Sequence, residues 1–195
     1  MTKRHSLTPY RQGRLDGLCG VYAVINAVRL ACAGERRRIH LPSRLLFEAC
    51  LSFLELNQNL RESIIHGMDT DTILACLRIV QNYLQVKRGI ELRQSRPFLR
   101  KRGLGIADIA HNVRLFLAKP HRSVLLGYDA ARPDDGHWTV VQGVAHTHFI
   151  LLDSSGSVRL TFAKLTYRDW HKAKLSRKRN LTPSGIIFLE RVMPR

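Results

Sequence analysis

A chain of 195 residues, 45% hydrophobic and 24% charged, has the length of one domain and should bury roughly 70% of the surface its unfolded form exposes. That excludes full disorder and collagen-like repetition, and a core of this size needs no disulfide staple. With 32 Lys and Arg against 15 Asp and Glu the formal net charge is +17, which favours polyanions and acidic partners.

The pattern runs helices first. Residues 1–18 are polar and turn-rich, with Pro9, Gly13 and Gly17. A helix is expected to start near Cys19, with an apolar face of Val21, Val24, Ile25, Val28 and Leu30 and a stop at Gly34. Pro42-Ser43 opens a second helix over about 43–56. Gly67 breaks the chain, and Asp69 or Thr70 caps a third helix through Ile73, Leu74, Leu77, Val80 and Leu84. Residues 90–94 alternate like a short strand, and about 106–117 reads as a fourth helix. The character changes at Pro120. Residues 123–128, 137–144, 147–152, 157–162 and 185–192 are rich in β-branched or aromatic residues, with a turn at Asp134-Asp135-Gly136. The basic stretch 164–180 reads as a helix plus a mobile loop. This order predicts an α+β fold: a single domain over 1–195, a helical lobe to about 119 packed on a C-terminal antiparallel sheet from about 120.

No apolar run reaches the roughly 18 residues of a membrane-crossing helix. No signal-peptide core follows the basic start, so a cytoplasmic setting is expected, with export by a signal-free route left open. Basic residues concentrate at Arg36-Arg37-Arg38, at Arg100-Lys101-Arg102 and over 171–179, without zinc-finger spacing or an aromatic RNA-binding signature. Cys32, Cys50 and Cys76 sit among apolar residues at helical spacing and read as small buried hydrophobes. No C-x-x-C pair is present. His146-Thr147-His148 lacks a third ligand, so no metal is expected, and without a glycine-rich phosphate loop no nucleotide cofactor is expected either.

Cys19 differs from the other cysteines. At the first turn of a helix it faces the positive end of the helix dipole, which favours the thiolate. Without such help only about 3% of a thiol of pKa 8.5 is ionised at neutral pH. Gly17 and Gly20 are expected to leave room for substrate backbone beside the sulfur. The Cys19 backbone N–H and the Gln12 side chain can donate to an oxyanion. His137 opens one strand and Asp153 ends the next. A hairpin centred on Ala145 sets these two directly opposite, close enough for the carboxylate to fix the imidazole tautomer. That depends on register, because a one-residue slip sends the side chains to opposite faces. Trp138 is a candidate shield for the histidine–carboxylate bond.

The order Cys, His, Asp, with Gln12 upstream and a helix beginning at the cysteine, resembles papain-like cysteine peptidases. The H-W-T-V-V strand and the L-L-D-S-S-G turn look most like the bacterial peptidase domains that remove double-glycine leaders from bacteriocins. Gln12 lies one residue further from the cysteine than is usual in papain, and the exporter domains of the leader peptidases are absent. The resemblance implies Cys19 as nucleophile, His137 as general base, Asp153 as orienting acid and Gln12 as oxyanion donor. No cofactor is implied. The substrate is then a protein or peptide, acidic if the net charge decides. The same thioester chemistry serves deamidases and transglutaminase-like acyl transferases. A non-catalytic adaptor, binding nucleic acid or an acidic protein through the basic surface, is the third reading.

Overall fold

The computed structural model describes residues 7–12, 17–33, 41–57, 59–101, 103–129, 136–167 and 178–193. Gly13, Gly34, the triple arginine at 36–38, Arg102, the turn at 134–135 and residues 168–177, which hold most of the basic 171–179 run, lie outside these residues.

Helices come first in the chain: α1 Cys19–Cys32, α2 Ser43–Leu56, α3 Leu60–His66 and α4 Thr70–Arg88. Strand β1 Leu92–Ser95 and helix α5 Ile106–Leu117 follow. The sheet is completed by β2 Arg122–Asp129, β3 His137–Val144, β4 His148–Leu151, β5 Arg159–Thr161, β6 Leu165–Tyr167 and β7 Arg179–Arg191. The local signals are physical. Asp69 caps α4, accepting a hydrogen bond from the Thr72 amide at 2.7 Å. Gly89 ends that helix at φ 61°, the left-handed conformation a glycine adopts without strain. Asp108 accepts from the Gly105 amide at 2.8 Å at the start of α5.

Three elements depart from the sequence reading, one of them β7, which begins at Arg179 rather than near 185. Helix α3 was not foreseen, since seven residues are too few to show a helical period. Residues 165–167 form a strand, parallel to β7, where a helix was expected.

The strands lie in the order β1-β7-β2-β3-β4-β5, antiparallel throughout, with β6 against the first part of β7. The fold is α+β. Helices cover both faces of the sheet. Val24, Val28, Leu46, Leu77 and Leu84 of α1, α2 and α4 share one core with Leu125, Val140, Ile187 and Leu189. Ile109, Val113 and Leu117 of α5 share the other with Val124, Leu126, Val141 and Phe188. Successive β2 residues thus serve opposite cores, and that strand is buried almost end to end rather than alternating with polar residues. The boundary near 120 is therefore sequential and not spatial: β1 joins the sheet, and α5 lies across it from α1.

Candidate active site

Helix α1 runs through the core on one face of the sheet, and its first residue is Cys19. No side chain caps this helix start. Asn26, fully buried in the middle of α1, anchors the preceding segment. Its Oδ1 accepts from the Tyr10 amide at 2.9 Å, and its Nδ2 donates to the Tyr10 carbonyl at 3.1 Å. The segment continues to Gln12, whose amide donates to the Ser154 carbonyl at 3.1 Å. The Ser154 hydroxyl donates to Gln12 Oε1 at 3.5 Å. Gln12 is thereby fixed between α1 and the turn that carries Asp153.

His137 is the first residue of β3, and Asp153 lies two residues beyond β4. They meet as expected, but in a register other than the expected one. A hairpin centred on Ala145 would pair Val141 with Phe149; instead Val141 pairs with Leu151. Nearer the turn the offset is one residue larger, with Val144 opposite Phe149 and Gly143 opposite Ile150. An irregularity between Val141 and Gly143 absorbs the difference. At the site end the strands have therefore slid by an even number of residues, which keeps each side chain on its expected face. The same register carried past β4, held by the Leu152 amide donating to the Val140 carbonyl at 2.8 Å, sets Asp153 opposite Thr139. Asp153 is thus diagonal to His137 rather than directly across from it.

That diagonal closes a hydrogen bond. His137 Nε2 and Asp153 Oδ2 are 2.7 Å apart, and the Asp153 side chain is wholly buried. The second carboxylate oxygen accepts from both the amide and the hydroxyl of Ser155. Thr139 Oγ1 is buried nearby; it lies outside strict hydrogen-bond geometry yet still favours the charged carboxylate. Burial alone would raise the Asp153 pKa, but the hydrogen bond and charge of His137, aided by Ser155, hold it at about 2. Burial alone would likewise lower His137. The hydrogen bond to Asp153 and the influence of the Cys19 sulfur, with the charge of Asp153, override this and bring the imidazole to about 9. Since Nε2 faces the carboxylate, Nδ1 is the ring nitrogen left for the sulfur. Tyr128, paired with His137 across β2 and β3, stands 5.6 Å from its ring. Its hydroxyl accepts from Arg179 at 3.2 Å, and burial pushes its pKa up to about 12.

The Cys19 residue is only 5% exposed, but it helps line a cleft of about 560 Å³ together with His137 and Trp138. One wall is the α3–α4 corner, with Gly67, Met68 and Asp69; the other is the sheet end, with Tyr128 and Asp129. Trp138 fastens the walls. Its Nε1 donates to the Met68 carbonyl at 2.7 Å, and its ring lies so close over Gly127 that a Cβ there would meet it at 2.9 Å. Trp138 is thus a cleft residue that holds the corner in place.

The glycines beside Cys19 do not serve as expected. A Cβ on Gly17 would meet the Ile64 carbonyl oxygen at 2.4 Å, and one on Gly20 would meet Ile73 Cδ1 at 2.5 Å. Gly17 also donates its amide to Ile64 at 2.8 Å. Both positions are glycine because α1 starts pressed against α3 and α4, so the space they leave is filled by protein and not by substrate. Tyr128, Met68, Asp129, Ser155 and Asn26 were not singled out from sequence for this site. A buried asparagine in the apolar face of α1 was the one legible signal among them.

Among the described residues, no group of three or more His, Cys, Asp or Glu side chains is placed to hold a metal ion. No described helix is long and apolar enough to cross a membrane. No protein-family model and no curated protein matches the chain. A solved structure, the Pseudomonas avirulence protein AvrPphB, is similar at 14% identity and a TM-score of 0.38, over 97% of both chains.

Proposed function

We propose that this chain is a papain-like cysteine peptidase that hydrolyses a peptide or isopeptide bond through Cys19, His137 and Asp153. One observation carries the reading: the imidazole held to a buried carboxylate lines the same cleft as the cysteine that starts α1, near enough for that cysteine to raise the ring's pKa. A cationic ring beside the sulfur is what a cysteine nucleophile needs in order to react as the thiolate.

In this mechanism the Cys19 sulfur attacks the scissile carbonyl. The Cys19 backbone N–H and the Gln12 side chain donate to the oxyanion. His137 passes its proton to the departing amine, leaving an acyl thioester on Cys19. The now neutral ring takes a proton from water, which attacks the thioester and releases the acid and the thiol. Asp153, braced by Ser155, keeps Nε2 occupied so that Nδ1 always faces the reaction. No observation here favours double-glycine leaders in particular.

The test needs no known substrate. Iodoacetamide at neutral pH should alkylate Cys19 at least tenfold faster than Cys32, Cys50 or Cys76, read by peptide mass mapping. All four cysteines are buried, but Cys19 alone of them lines the cleft. Equal labelling of the four would contradict the reading.

A further inference from the structure

We infer that the cleft selects a substrate carrying a lysine or arginine within two residues of the bond attacked, with Asp129 and Glu62 on its two walls as the specificity-determining residues. The inference rests on the peptidase reading and concerns the same cleft.

The chain has 32 Lys and Arg against 15 Asp and Glu, so a surface sampled at random would show about two cations for each anion. The described residues that line the cleft reverse this. They include Glu62, Asp69 and Asp129 and not one Lys or Arg. The carboxylates sit on both sides: Glu62 and Asp69 on the α3–α4 corner, Asp129 at the end of β2, next to the tyrosine that pairs with His137.

Asp129 is the most telling of the three. It is partly buried, and that burial raises its pKa. No described residue forms an ion pair with it. A desolvated carboxylate in a cleft wall gains most from a cation brought by a ligand. Asp69 has one oxygen committed to capping α4. Glu62 lies 3.6 Å from His66 and 3.7 Å from Arg61, in pairs that are largely exposed to water.

The outer positive charge does not cancel this preference. At physiological salt, exposed charges are screened beyond about 8 Å, whereas groups inside a partly enclosed cleft are screened much less. The total charge governs the approach to a polyanion; the local carboxylates govern what fits beside Cys19.

Dipeptidyl chloromethyl ketones test this directly. They alkylate the thiolate, forming a carbon–sulfur bond and releasing chloride. Reagents carrying lysine, norleucine or glutamate at either position are compared by the rate at which Cys19 gains the adduct, each divided by the iodoacetamide rate on the same protein. The lysine reagent should react at least tenfold faster than norleucine, with glutamate slowest. Asp129→Asn should cut the lysine-to-norleucine ratio to about threefold or less. Glu62→Gln, at an exposed position that cannot endanger folding, should reduce it in the same direction. Selective labelling of Cys19 with glutamate equal to or faster than lysine would overturn this inference and leave the peptidase reading standing. Failure of every reagent, iodoacetamide included, to prefer Cys19 would remove both.

Discussion

Cys19→Ala should cut hydrolysis of a peptide mixture by about 10⁴-fold or more, as expected when a nucleophile acting within a triad is removed. His137→Ala should do the same. The two groups act as one unit, because the ring that donates its Nε2–H to the carboxylate also stands beside the Cys19 sulfur in the cleft. The double variant should therefore be no slower than either single one. Folding should survive the cysteine change. The sulfur packs at a helix start beside the cleft rather than in mid-helix, so its loss should cost about 1 kcal/mol, a Tm shift of about 2–4 °C in a chain this long. Circular dichroism and a thermal melt separate that outcome from unfolding. A Cys19→Ala protein that still turned over peptides at a tenth of the original rate would exclude covalent catalysis by this residue.

Asp153→Asn should lower kcat/KM by about 10²- to 10⁴-fold, less than loss of the nucleophile, because the sulfur remains and an amide oxygen can still accept from Nε2–H, although an amide turned to its NH₂ side imposes the wrong tautomer. What it cannot do is stabilise the charge on the ring. The effect on stability has a definite sign. His137 is raised to about 9, so its contribution is complete below its unfolded value near 6.5 and is lost as pH rises through about 9. Asp153 is held down at about 2, so its contribution is complete above an unfolded value near 3.9 and is lost as pH falls through about 2. The pair is therefore at full strength from about pH 4 to 6.5. There the native protein should exceed Asp153→Asn by about 2 kcal/mol, counting the interaction once for both partners. The gap should close towards pH 9 and above. Urea unfolding at pH 5.5, 7.5 and 9.5 reads this, and a gap that widened with pH would contradict the assignment of the charges.

Much of this arrangement was legible in the sequence, for identifiable reasons. Helix periodicity and the Asp69 cap place α4, and β-branched runs place most of the sheet. Cys19 at a helix start and His137 at a strand start follow from the same patterns. The meeting of His137 with Asp153 followed from the hairpin reading, but its diagonal geometry did not. That goes with the irregularity between Val141 and Gly143, and a bulge is a tertiary compromise that leaves no mark in the alternation of side chains. The small residues at Gly17 and Gly20 were visible, but whether the missing Cβ makes room for a ligand or for another helix depends on how α3 and α4 pack against the start of α1, and α3 is too short to announce itself. Net charge is equally silent about the cleft. A total of +17 says nothing of a cleft whose described lining carries only acidic side chains and histidines as ionisable groups besides Cys19 and Tyr128.

The most direct measurement is an NMR titration of the His137 imidazole, assigned by its loss in His137→Ala and repeated in Asp153→Asn and Cys19→Ala. A ring held by both neighbours should titrate near 9 in the native protein and at lower pH in each variant, with the larger fall in Asp153→Asn. A midpoint near the ordinary 6.5, unmoved by either substitution, would mean that this imidazole joins neither the carboxylate nor the sulfur.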